Sequence, residues 1–159
     1  MSTDAPALPH RHLMTIALDV DAQRSAQIGN TPRGRRSIAP IAGGSFEGDR
    51  LGGDVLPGGA DWVLFQPDGT MLVDVRLTLK THDEALIYLS YEGRFRSDRP
   101  DALVALARGE ALDPSSYSLT TVARFESGDE RYAWLNPVIA VGIGSQSGFN
   151  PCYKIYEIG

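Results

Sequence analysis

The chain has 159 residues, 42% hydrophobic and 22% charged, so it can bury one core and leaves little room for two. Its net charge of -5 argues against a nucleic-acid binder, which depends on neutralising phosphates. One cysteine, Cys152, excludes an internal disulfide and a cysteine-rich zinc site, and 17 glycines with 10 prolines suit short strands and tight turns better than a helical bundle.

Residues 1–11 are polar, carry Pro6 and Pro9 and hold no apolar h-region, so they read as a flexible lead-in to a single domain over 12–159. No window approaches the ~18 uninterrupted apolar residues of a membrane helix, and the default expectation is a cytoplasmic protein without a membrane partner. Residues 13–20 form a first strand candidate. Residues 29–69 then hold ten of the seventeen glycines, separating short extended pieces at 37–42, 45–48, 53–56 and 61–65. Pro67-Asp68-Gly69 is a turn signal, because proline presets φ and glycine accepts a positive one. It joins 61–66 to 70–80 as a hairpin.

The next hairpin can be read residue by residue. Met71, Val73, Val75, Leu77 and Leu79 alternate with Leu72, Asp74, Arg76 and Thr78. A type I turn at 81–84 with a bulge residue at Glu84 pairs Leu79 with Ile87, Leu77 with Leu89 and Val75 with Tyr91. The same register sets Thr78 opposite Tyr88, Arg76 opposite Ser90 and Asp74 opposite Glu92. A one-residue slip would mix the two faces. One helix follows at 100–108, with Asp98 as candidate N-cap and Gly109 as its stop. Strands resume at 117–126, turn at 127–129, and continue through 131–136, 138–142 and 152–158, with 145–151 as a polar loop. Nine or ten strands with one short α-helix near 99–109 predict a mainly β fold, an antiparallel β-barrel, with a two-sheet sandwich as the alternative.

The glycine cluster from Gly142 to Gly148 lacks the spacing and the following helix of a phosphate loop. His10, His12 and His82 have no carboxylates at ligand spacing, and neither a nucleophile elbow nor an activated cysteine is visible, so no metal and no cofactor are expected. Arg33, Arg35 and Arg36 form a basic knot, read either as a solvated strand edge or as an anchor for a carboxylate-bearing ligand. Asp74, Arg76, Tyr88 and Glu92 share the polar face of the hairpin, which meets water or, inverted, lines a barrel cavity. Tyr132, Trp134 and Asn136 alternate along the 131–136 piece, as a pocket wall or as core packing.

Several strings occur in order: Gly43-Gly44-Ser45-Phe46-Glu47-Gly48, Gly58-Gly59-Ala60-Asp61-Trp62, Asp74-Val75-Arg76, Ala85-Leu86-Ile87-Tyr88 and Tyr132-Ala133-Trp134-Leu135-Asn136. Together they resemble the DUF3237 family, also called UPF0311, over nearly the whole chain. The resemblance implies a calycin-like or allene-oxide-cyclase-like barrel, often a homo-oligomer. One departure is Glu84, where the family commonly carries glycine. The resemblance adds Glu47, Asp61 and Trp62 to the candidates. It implies a cofactor-free acid–base enzyme, a decarboxylase, isomerase or cyclase acting on an aromatic or unsaturated acid. In that expectation Arg76 anchors the acid, Asp74 or Glu47 moves the proton and Tyr132 donates a hydrogen bond. Asp61, Trp62, Tyr88, Glu92, Trp134 and Asn136 contact the small organic ligand. A ligand carrier or sensor, or a purely structural oligomeric barrel, would carry the same sequence.

Overall fold

Alternation along residues 71–79 decides which way the sheet faces. In the computed structural model, which describes residues 4–159, Val73, Val75, Leu77 and Leu79 are buried, Asp74 is half-buried, and Arg76 and Thr78 are exposed. This strand, Met71–Thr81, pairs with Leu86–Ser97 in the expected register, including Leu77 with Leu89, Val75 with Tyr91 and Asp74 with Glu92. The apolar face fills the barrel and the polar face lies outside it. The inverted reading, with Asp74, Arg76, Tyr88 and Glu92 around the cavity, is thereby corrected: the aliphatic face is the one that gains by leaving water.

The described residues form ten strands: β1 His10–Val20, β2 Ala26–Thr31, β3 Gly34–Glu47, β4 Gly52–Val55, β5 Gly59–Phe65, β6 Met71–Thr81, β7 Leu86–Ser97, β8 Tyr117–Glu126, β9 Ile139–Ser147 and β10 Asn150–Ile158. All pairings are antiparallel, in the order β1, β10, β9, β8, β7, β6. β4 and β5 then occupy one position end to end between β6 and β3. β3 pairs with β1 and closes the ring. The result is an eight-position barrel, with β2 extending the β3 edge beyond β1. Full closure leaves few free edges for aggregation.

The glycine-rich stretch has a steric cause. At Gly44 on β3, φ is +151° and an added Cβ would lie 2.2 Å from the Ala17 carbonyl oxygen of β1. At Gly53 on β4 it would lie 2.0 Å from the Lys80 carbonyl oxygen of β6. Backbone meets backbone where the strands crowd to close the ring, and only hydrogen fits.

The β6–β7 turn forms as expected. Glu84 has φ 72°, the one positive value outside glycine among the described residues, and the Thr81 and Glu84 amides donate to Ala85 and Thr81 carbonyls at 2.9 and 3.0 Å. Left-handed backbone costs a non-glycine residue ~1 kcal/mol, partly offset for glycine by a freer unfolded chain. Glu84 also pairs with Lys80 at 2.8 Å, an exposed contact of little weight. Glu84→Gly is therefore expected to raise the thermal midpoint slightly, by roughly 1–3 °C for a chain of this size. A lower midpoint would contradict the strain assigned to this residue.

Several elements differ from expectation. β1 starts at His10, paired with Ile158, ahead of the apolar alternation. The helix, α1, is confined to Ala102–Ala107, behind Asp101 and not Asp98; Ala102, Ala105 and Leu106 are buried in the barrel end. Residues 131–136 are not a strand: Glu130–Leu135 is a 3-10 helix, whose first turn is capped by the Asp129 side chain accepting from the Arg131 amide. Its buried residues, Tyr132 and Leu135, are three apart, the repeat of a 3-10 turn. Residues 145–151 are mostly strand, the tip of the β9–β10 hairpin, turning at Gly148 with φ 58°.

Candidate functional site

Inward-facing positions of β3, β5 and β6, with α1 across the barrel end, enclose a cavity of about 460 Å³. Its wall is mostly apolar, with Val63, Phe65, Met71, Val73, Leu103 and Leu106 contributing. Such a volume suits a small organic molecule. The polar interruptions are few: Arg35 and Ser37 from β3, Asp61 from β5, Tyr153 from β10 and glutamines near the rim. Ser37 is buried and accepts a hydrogen bond from Gln27 Nε2 at 3.1 Å.

Asp61 shares the inward parity of Val63 and Phe65, which places a carboxylate in an aliphatic wall. The β5–β6 ladder opens beside it. Asp61 pairs with Val75 and Leu64 with Leu72, while Trp62 and Val63 have no ladder partner on β6. In that gap the Asp74 amide donates to Asp61 Oδ1 at 3.0 Å, and Arg36 Nη1 donates to the Trp62 carbonyl at 2.8 Å. Burial pushes the Asp61 carboxyl from its ordinary 3.8 up to about 7. The Asp74 amide and the Arg36 charge pull down, and the Asp74 charge pushes up; loss of hydration outweighs them.

Behind Asp61, the Tyr91 and Tyr153 rings meet edge to face, 5.1 Å between centroids at 60°. Burial drives both phenols well above their usual range, and the Asp61 charge adds to it. Both therefore stay neutral and able to donate. A carboxyl that titrates near neutrality beside neutral phenols can accept a proton and return it.

Of the ten residues expected at a site, Asp61 alone lines this cavity. Asp74, Arg76, Tyr88 and Glu92 border a groove of about 360 Å³ on the outer face of β6–β8, beside Arg124. Trp62 is half-buried on the outer side, its ring 5.1 Å from the Arg76 guanidinium carbon. The remaining four sit at the opposite end of the barrel, away from α1. Glu47 is exposed near His82, 3.5 Å away. Tyr132 donates to Asp83 Oδ1 at 2.8 Å, an oxygen that also accepts from the Thr81 hydroxyl, so its phenol ties the 3-10 helix to the β6–β7 turn. Trp134 stacks under Arg50, 4.2 Å from ring centre to guanidinium carbon. Asn136 makes two bonds to the Ser127 backbone, 2.8 and 3.1 Å, and closes the loop between them. These contacts account for the pattern that looked like a pocket wall.

Tyr153 and Ser37 were not expected at the site, although parity was available as a signal, since both fall on the inward face with aliphatic neighbours. Among the described residues no group of three or more His, Cys, Asp or Glu side chains could hold a metal ion, and no helix is long and apolar enough to cross a membrane.

Residues 9–158 match the family described as protein of unknown function DUF3237. A UPF0311 protein of Clostridium acetobutylicum is 34% identical over 157 residues, 98% of this chain and 98% of its own length. A conserved protein of unknown function from Rhodopseudomonas palustris, solved by crystallography, superposes with a TM-score of 0.89 at 28% identity, covering 98% of this chain and 100% of that one. An enzyme from Penicillium herquei shares the fold at a TM-score of 0.71 and 18% identity over the full length of both chains.

Proposed function

As the chain belongs to the DUF3237 family, we propose that its barrel holds a small organic ligand under α1 and moves a proton on it without a cofactor, with Asp61 as acid and base. The observation that carries this reading is a carboxyl, held near pKa 7, in the mostly apolar wall of a cavity of about 460 Å³. Such a group is the most effective general acid–base at neutral pH, because it is half protonated where it operates. Tyr153 serves as a neutral donor to oxygen that gains charge during the reaction. The ligand class in keeping with this inventory is an aromatic or unsaturated acid, and the reaction a decarboxylation, an isomerisation or a ring closure. The fold likeness to an enzyme from Penicillium herquei is in keeping with catalysis and carries nothing about the chemistry.

The test is a panel of aromatic and unsaturated acids, with binding read by calorimetry and turnover by NMR, for wild type and Asp61→Asn. Both proteins should bind. Wild type should turn over a ligand with a rate that inflects near pH 7, and the variant should lose about 10²–10⁴-fold in rate, the usual worth of a general acid–base. Binding without turnover across the panel would favour the carrier reading. Absence of binding would reject the cavity as the site.

A further inference from the structure

Among the described residues, Arg35 and Asp61 are the charged side chains on the cavity wall, and the β3–β5 register sets them at different depths. Arg35 pairs with Phe65 and Asp61 with Ala39 across β3 and β5, four residues apart along β3. That separation is about 13 Å of strand. Arg35 stands at the rim, exposed, with its guanidinium carbon 3.9 Å above the centre of the Phe65 ring. No carboxylate lies within ion-pair range of it among the described residues. Its neighbour Arg36 is spent on the Trp62 carbonyl. The stack on Phe65 holds the Arg35 guanidinium plane in place, which suits it to bidentate contact with a planar anion.

We propose that Arg35 binds the anionic group of the ligand at the cavity rim, so that the ligand is an aromatic or unsaturated carboxylate oriented with its charge outward and its uncharged end at Asp61. This rests on the reading of the cavity given above and fixes which end of the ligand reacts. In the reverse orientation the ligand carboxylate would compete with Asp61 for one proton deep in a mostly apolar wall, away from the guanidinium that compensates its charge at the rim. The cavity, at about 460 Å³, is roughly three times the ~150 Å³ that accommodates one benzene, leaving room for a ligand of two or three rings. The acid is then a handle and not the reacting group. Decarboxylation drops out of the three reaction classes, since the proton that replaces carbon dioxide goes to the carbon that bore it, and that carbon would lie beside Arg35 and away from Asp61. What remains is rearrangement at the far end: Asp61 takes a proton from one atom of the ligand and returns it to another, with no atom gained or lost.

The experiment uses 6-hydroxy-2-naphthoate and its neutral primary amide as paired probes, with dissociation constants measured by calorimetry for wild type, Arg35→Gln, Arg33→Gln and Asp61→Asn. Wild type should bind the acid about tenfold or more tighter than the amide, as expected for one charge-assisted anchor. Arg35→Gln should abolish that preference by weakening the acid alone. Arg33→Gln, an exposed neighbour off the cavity wall, and Asp61→Asn should both keep it. Equal affinity of wild type for acid and amide, or a preference that survives Arg35→Gln, overturns the anchor and leaves the cavity reading standing. If neither probe binds wild type at millimolar concentration, the cavity reading falls and the anchor with it. Arg35 is exposed, so an unchanged melting curve is the expected check that Arg35→Gln folds.

Discussion

Asp61→Asn is expected to make the protein more stable than wild type at pH 8, and the gain should disappear on acidification. In the folded chain the carboxyl titrates at about 7, against an ordinary value of 3.8. Between those two values the unfolded chain releases a proton that the folded chain keeps, so wild-type stability falls as pH rises through that window and stays low above it. Three pH units correspond to roughly 4 kcal/mol as an upper figure, which for a chain of this size is about 8–15 °C in thermal midpoint. Asparagine keeps an oxygen for the Asp74 amide, now held at 3.0 Å, and carries no charge. The midpoint difference between variant and wild type should therefore be largest above pH 7 and mostly gone by pH 4. A variant less stable than wild type at pH 8 would mean that the carboxylate is well solvated in the fold. Catalytic groups commonly reduce the stability of the fold that holds them, and this residue would do so by its charge alone.

A second large effect is expected at Gly44→Ala. The new methyl would lie 2.2 Å from the Ala17 carbonyl oxygen on a residue with φ +151°, in the seam where β3 meets β1. Both groups are backbone, so relief requires moving one strand away from its ladder, a loss of 3 kcal/mol or more. Gly69→Ala is the control. It has φ +87° but nothing within 4 Å of the added Cβ, so it should cost only the left-handed penalty of ~1 kcal/mol. Urea unfolding midpoints measure both. Equal destabilisation of the two variants would remove close approach as the reason for the glycine run.

Much of the barrel is legible in the sequence where period 2 is strict. The β6–β7 hairpin comes out residue by residue because Val73, Val75, Leu77 and Leu79 alternate with Asp74, Arg76 and Thr78 and the turn position of Glu84 is fixed by the register. The same criterion misreads 131–136. Tyr132, Trp134 and Asn136 alternate as a strand would, but the Asp129 cap and Pro137 at the exit belong to a short 3-10 turn. The site is less legible for a related reason. A polar strand face reads equally well as solvent-facing or cavity-lining, and tertiary closure alone decides. The informative sign was a polar residue at aliphatic parity: Asp61 with Val63, Ser37 on β3 and Tyr153 with Ile155. Motif strings gathered Asp61 together with residues such as Tyr132 and Asn136, whose contacts tie down loops at the other end of the barrel. The ladder gap that sets the Asp74 amide on Asp61 leaves no trace in composition or period.

Asp61 is expected to exchange its proton near neutrality inside the barrel. The most direct measurement is the pH dependence of the Asp61 side-chain carboxyl carbon shift by NMR, with the signal assigned by its absence in Asp61→Asn. An inflection near pH 7 is predicted. An inflection near 4, the range of an ordinary aspartate, would contradict the account.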